Sequence, residues 1–278
     1  MITITAADVN NLRQKTGAGM MDCKKALQES EGDIEKAIDY LRKKGQKVAS
    51  SRADRSANEG IVLAKTSTDN TKAVAISLNC ETDFVAKNKD FYTFTENVLE
   101  LAITKFPKTL DELKSFEIDG ISIANHIMDM LGKIGEKIEL SNYAFIDAPI
   151  VFTYNHQGNH LSTMVGFNKS DSPNINQIGH EIAMQIAAMN PIAIDQDNVD
   201  AQIIERELEI GREQARLEGK PEAMIEKIAA GKLNKFFKEN TLLNQEFVRD
   251  TKKTVKQYLL ESDKDLIVTS FSRLLIGE

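Results

Sequence analysis

The spacing of apolar residues changes character near residue 59, and one layer of one type of secondary structure cannot satisfy both patterns. Before that point the period is helical and repeatedly broken. Val9 and Leu12 share one helix face and are followed by the tight Thr16-Gly17-Ala18-Gly19 turn. A second short helix carries Cys23, Ala26 and Leu27. Glu31-Gly32-Asp33 interrupts it, and Asp33 stands where its side chain can cap a third helix bearing Ile34, Ala37, Ile38 and Leu41. Gly45 reads as the end of that helix. Residues 1–45 are therefore expected to form three short helices around one small core. A polar connector, 46–58, follows. From Arg42 to Arg55 it and the preceding helix end hold six basic residues (Arg42, Lys43, Lys44, Lys47, Arg52, Arg55) against one acid, Asp54. That run reads either as a solvated tether or as an electrostatic contact for an acidic or nucleic-acid partner.

After residue 59 the apolar runs are strand-like. Ile61–Ala64 and Ala73–Leu78 are joined across Thr68-Asp69-Asn70-Thr71 as a hairpin, and Phe94, Val98, Leu101 and Ala102 mark a helix from about Asp90 to Phe106. Shorter helical pieces cover Leu110–Lys114 and Ile121–Leu131. The same order then recurs: strands at Lys137–Ile146, Ile150–Tyr154 and Leu161–Phe167, and a helix from Ile175 to Ala188. Asn198–Gly219 is a charged amphipathic helix, and Gly219-Lys220-Pro221 reverses the chain into a second helix reaching about Asn240. A last helix, Thr254–Leu260, precedes the apolar tail Leu266–Phe271, which must pack on a domain or cover a partner. The expected class is α+β and multidomain. A first α+β unit spans 59–135 and a second spans 136–195 with 241–260. An inserted antiparallel helical hairpin fills 196–240, and a C-terminal module fills 261–278.

Groups for covalent chemistry do not assemble. His126 sits in an apolar helix, His156 and His160 flank a turn, and His180-Glu181 lacks the second histidine of a zinc-protease motif. Cys80 has no neighbouring base and reads as a buried thiol; Cys23 and Cys80 are too few for a disulfide framework. No phosphate-cradling glycine loop is present, since Gly17-Ala18-Gly19 follows no strand. The formal charge of −7 disfavours an extended nucleic-acid surface. The start, Met1 to Thr5, lacks the basic region and apolar run of a signal peptide, and no later stretch reaches membrane-spanning length, so a cytoplasmic location is expected. What remains is a protein that works by binding another macromolecule.

The segment Glu81-Thr82-Asp83-Phe84-Val85-Ala86-Lys87-Asn88 lies between a strand and a long helix. Its residues suit a plain strand, cap and helix with Phe84 turned inward. They equally suit an exposed tip in which an acid stands beside a rigid aromatic wedge. This segment, together with Leu12-Arg13-Gln14-Lys15-Thr16-Gly17-Ala18-Gly19-Met20-Met21-Asp22-Cys23-Lys24-Lys25-Ala26-Leu27, resembles the bacterial elongation factor Ts family, the guanine-nucleotide exchange factors of elongation factor Tu. Ile182–Ala188 with Pro191, Gly219-Lys220-Pro221 and Phe236-Phe237-Lys238-Glu239 extend the resemblance over essentially the whole chain.

The resemblance implies a role in protein biosynthesis as a GTPase-binding, non-catalytic exchange factor. It carries no cofactor of its own and acts on the GDP and Mg²⁺ of elongation factor Tu. It implies that Thr82, Asp83, Phe84 and Val85 displace that Mg²⁺, with Phe84 wedging between helices of the partner's nucleotide-binding domain. The three-helix unit is implied to be a ubiquitin-associated-like domain making an auxiliary contact through Arg13, Thr16, Gly17, Gly19, Met20 and Met21. The second α+β unit would grip a different domain of the partner, and the hairpin corresponds to the family's coiled-coil or dimerisation projection. Self-association does not follow from that name. Neither stable nucleic-acid binding nor membrane association is expected. A ubiquitin-type adaptor, the rival reading from the first unit alone, leaves most of the chain unexplained; a nucleic-acid-binding protein would show salt-sensitive affinity for RNA or DNA without the partner.

Overall fold

The computed structural model describes residues 3–52 and 54–277. Met1 and Ile2 of the first unit, Ala53 of the basic connector and Glu278 of the tail lie outside the described residues. The chain begins with α1 (Ala6–Thr16), α2 (Met20–Glu29) and α3 (Ile34–Ser51). Thr5 and Asp8 cap α1 reciprocally, and Gly17 ends it in the left-handed region at φ 65°. The Lys36 N–H donates to the Asp33 carboxylate at 3.1 Å, which starts α3. Val9, Leu12, Cys23, Ala26, Leu27 and Ala37 form the small core between the helices.

Next come β1 (Glu59–Thr66), β2 (Lys72–Cys80), the single-turn α4 (Asp83–Ala86), α5 (Lys89–Lys105) and α6 (Leu110–Ser115). The two-residue strands β3 (Glu117–Ile118) and β4 (Ile121–Ser122), α7 (Ile123–Ile134) and β5 (Ile138–Asp147) follow. The antiparallel sheet runs β1-β2-β5. Along β2 the alternation of side chains sorts by size: Val74, Ile76 and Leu78 pack under α5 with Phe91, Phe94 and Val98, while Ala73 and Ala75 face the other way.

The rest comprises β6 (Ile150–Asn155), β7 (Leu161–Phe167), α8 (Ile175–Met189), α9 (Ala201–Leu217) and α10 (Glu222–Asn240). It closes with β8 (Glu246–Phe247), β9 (Asp250–Thr254), α11 (Val255–Ser262) and β10 (Val268–Leu275). Its main sheet is antiparallel with order β10-β7-β6, backed by Ile178, Ile182 and Ile186 of α8. The two sheets meet through small residues: Ala64, Ala73, Ala75 and Ala148 pack with Val151 and Met164. Polar bonds lock that seam, with the Ala64 N–H donating to Asn155 Oδ1 at 2.7 Å and Ser162 Oγ donating to the Val62 carbonyl at 3.0 Å. In the hairpin, Gly211 lets α9 and α10 approach closely, for a Cβ there would lie 3.1 Å from Ala229 Cα.

Three expectations are corrected. Gly45 does not end α3, which continues to Ser51. A Cβ on Gly45 would stand 3.1 Å from the Met128 carbonyl of α7, and one on Gly132 3.3 Å from Gly45 Cα, so this glycine permits a helix crossing. Strand β5, grouped above with the second unit, is the third strand of the first sheet; Ile138 and Leu140 complete the core under α5. The tail is no separate module. As β10 it covers the open edge of β7, with Phe271 opposite Val165 and with Leu266 and Val268 buried. No helix among the described residues is long and apolar enough to cross a membrane.

Candidate functional site

Strand β2 delivers the chain to its sharpest corner. Cys80 is fully buried at its end, and burial pushes its thiol up to about 12, so it stays protonated. Thr82 takes extended backbone (φ −129°, ψ 152°) before α4, but its side chain does not cap that helix. Both its N–H (3.1 Å) and its Oγ1 (2.8 Å) donate instead to the carboxylate of Glu136, between α7 and β5. Six residues after Thr82, Asn88 caps α5, accepting from the Asp90 N–H at 2.8 Å. Two helix starts this close leave α4 a single turn between β2 and α5. Val85 and Ala86 drop into the core. Phe84, on the opposite side of the turn, is 82% exposed.

Of the two readings open to the sequence, the structure thus has the exposed aromatic tip and not the inward ring. Asp83 stands beside it, half-exposed and paired with Lys87 Nζ at 2.6 Å. That hydrogen bond holds the Asp83 carboxyl below its ordinary value, so an anion and an apolar ring are presented together.

The base of the tip is braced by Glu81. Its carboxylate accepts from Arg52 Nη1 at 2.9 and 3.0 Å, from Arg55 Nη1 at 3.3 Å and from the Lys137 N–H at 2.6 Å. Burial works against ionisation of Glu81, but the Lys137 and arginine hydrogen bonds outweigh it and the carboxyl lies below its ordinary value. Lys44 likewise pairs with Asp22. Half of the basic run is therefore engaged with carboxylates of this chain. The residues after α3 are pinned too: Asn79 Nδ2 donates to the Ala57 carbonyl at 2.9 Å and Lys137 Nζ to the Arg55 carbonyl at 3.1 Å.

Of the six residues expected to make the auxiliary contact, Arg13, Met20 and Met21 line one groove, whereas Thr16, Gly17 and Gly19 build the turn beside it and do not line it. Thr16 Oγ1 donates to the Leu12 carbonyl at 2.8 Å, Gly17 turns the chain, and Gly19 precedes α2. This places Met20 and Met21 in the first turn of α2, 60% and 75% exposed. With Arg13, Ile4 and Lys24 they line a groove of about 320 Å³. Gly17 lies against the Lys133 side chain of α7, three residues before Glu136. Sequence reasoning missed Glu136, an isolated acid whose partner Thr82 is distant in the chain. It saw Arg52 only as one charge in a run.

Among the described residues no group of three or more His, Cys, Asp or Glu is arranged to hold a metal ion. His126 Nε2 lies 2.9 Å from the Ile118 carbonyl, a structural contact.

The family model "Elongation factor TS" matches residues 81–278. Curated relatives match from end to end. The elongation factor Ts of Amoebophilus asiaticus (strain 5a2) is 52% identical over 276 residues, covering 99% of this chain and 100% of its own. That of Cytophaga hutchinsonii is 50% identical over 278 residues, with both chains fully covered. The protein of the same name from Chloroherpeton thalassium is 41% identical over 288 residues, again over the whole of both chains. The relatives thus include the three-helix unit that the family model leaves out, and from its first helix to its last strand the chain belongs to the elongation factor Ts family.

Proposed function

We propose that this chain promotes exchange of GDP for GTP on elongation factor Tu, and that Asp83 and Phe84 are the groups that act. Thr82 and Val85 hold them, the one through Glu136 and the other by burial. Arg13, Thr16, Gly17, Gly19, Met20 and Met21 make an auxiliary contact. The three-helix unit is read as the ubiquitin-associated-like domain and the α9–α10 pair as the coiled-coil projection, with this chain cytoplasmic. The carrying observation is the juxtaposition on one turn of the 82% exposed Phe84 ring and the half-exposed Asp83 carboxylate, held outward by the buried Val85 and Ala86: a rigid aromatic anchor beside a directional hydrogen-bond acceptor.

The proposed action is linked binding, without a covalent step. Where Mg²⁺ serves the diphosphate of such a GTPase, disturbing it would remove much of the charge compensation around the phosphates. A ring inserted between packed helices shifts them as units, because close-packed interiors do not bend smoothly. A partner held in the shifted form binds nucleotide poorly, and GDP reciprocally weakens the complex by the same factor. A thousandfold weakening corresponds to about 4 kcal/mol of coupling. One buried aromatic anchor contributes about 2 kcal/mol of that, and the remainder needs a broad interface. Net direction comes from the surrounding GTP and GDP.

Stopped-flow release of labelled GDP from elongation factor Tu tests the reading. At saturating factor, Phe84→Ala should lower the stimulated rate about 30-fold, the equivalent of about 2 kcal/mol. Release at the wild-type maximum would reject the role of the ring.

A further inference from the structure

The Phe84 tip and the Met20–Met21 surface lie on different structural units, yet one set of bonds joins the end of α3 to the base of the tip. α3 carries the three-helix unit, and it crosses α7 at the Gly45–Gly132 contact. Just past its end, Arg52 places one nitrogen on both oxygens of Glu81, the residue immediately before Thr82. The Glu81 carboxylate also holds Arg55 and the Lys137 N–H at the start of β5. Its side chain is 12% exposed and that of Arg52 27%, so the charge-assisted Arg52 bonds are screened less than a surface pair, whereas the Arg55 contact, with 60% of that side chain exposed, is a surface one.

From this geometry we infer that Arg52 and Glu81 are positioning residues, which fix the three-helix surface and the Phe84 tip in one orientation so that both meet the partner without a search. The inference rests on the proposed two-surface contact. Its physical content is preorganisation: two contacts held rigidly add their binding energies, whereas two contacts on a loose joint lose part of the second to ordering entropy. The tip itself does not depend on Arg52, because Glu136, Val85 and Ala86 hold it independently. Loss of the clamp should therefore weaken assembly while leaving the assembled complex competent.

The test uses the full chain and separates half-saturating concentration from maximal rate in stimulated GDP release. Arg52→Ala should raise the half-saturating concentration about tenfold, equivalent to about 1.4 kcal/mol, and leave the maximal rate within about twofold. The same substitution is then made in a Met20→Ala, Met21→Ala background, where the three-helix surface has little binding to contribute. There the shift caused by Arg52→Ala should shrink below about twofold, a non-additivity that a merely destabilised chain would not give. Glu81→Gln, which keeps the shape but sets an amide before the Arg52 and Lys137 donors, should raise the half-saturating concentration in the same background-dependent way; because Glu81 also braces the tip, its maximal rate should fall as well. Equal shifts in the two backgrounds, no shift in either, or a fall in maximal rate alone would overturn the inference and leave the tip reading standing. If Met20→Ala, Met21→Ala binds like the parent, the auxiliary-contact reading fails, and the inference falls with it.

Discussion

The connection leaving β2 and the connection leaving β7 occupy the same place in two similarly built layers. Each follows the central strand of a three-stranded antiparallel sheet and leads to the helix that covers that sheet. Their fates are opposite. After β7, Asn168 Nδ2 donates to the Asp265 carbonyl at 2.9 Å, Lys169 pairs with Asp263 at 2.6 Å, and buried Ser172 donates to the same carboxylate at 2.6 Å. That loop is spent on holding the α11–β10 connection. After β2, the bonds of Glu81 and Thr82 brace the segment from behind, and among the described residues Phe84 is left 82% exposed. One architecture thus serves an internal latch in one copy and an outward tip in the other, and the side chains of a few loop residues decide which.

The largest effect that sharpens this contrast falls on the second layer. A Cβ on Gly179 of α8 would come within 2.0 Å of the Phe152 ring, so Gly179→Ala must push α8 off β6. A loss of about 3 kcal/mol is expected from such overpacking, read as a fall in Tm of about 6–12 °C. An unchanged Tm would mean that the ring yields freely. In the first layer Phe84→Ala should do the reverse: exchange falls by the equivalent of about 2 kcal/mol while unfolding stability stays within about 0.5 kcal/mol. Should Phe84→Ala unfold the chain more easily, the tip is part of the core and the contrast fails.

Smaller changes probe the latch. Ser172→Ala should cost about 1 kcal/mol in urea unfolding and leave GDP release unaltered, because a buried hydroxyl then no longer serves Asp263. Last is a pH effect. The Lys169 and Ser172 hydrogen bonds hold the Asp263 carboxyl at about 2, below the ordinary carboxylate value of about 3.9. A depressed folded-state value stabilises the protein above the unfolded value, and the contribution disappears as pH falls from about 4 towards 2. Asp263→Asn should flatten that part of a pH–stability profile; an identical profile in the variant would show that the latch carries no linkage.

Local chemistry made much of this legible in the sequence. The Thr16–Gly19 turn, the Asp33 cap, the hairpin around Asn70 and the reversal at Gly219-Lys220-Pro221 depend on neighbours in the chain, so residue type is informative. What depends on distant partners was not. Gly45 suits a helix end and a helix crossing equally, and only Gly132 on α7 decides between them. The apolar alternation of β5 fits either sheet, and it is settled by Leu140 standing opposite Leu78. For the same reason the tip was half visible: Asp83-Phe84 stood out by composition, whereas the outward direction of the ring depends on Val85 and Ala86 finding a core and on Glu136 holding Thr82.

The most direct test of the central claim is a structure of this chain bound to nucleotide-free elongation factor Tu. The account predicts the Phe84 ring enclosed by helices of the partner's nucleotide-binding domain, with the Asp83 carboxylate accepting hydrogen bonds from that domain. A complex in which the ring still stands in solvent, or has folded back into its own subunit, would contradict it.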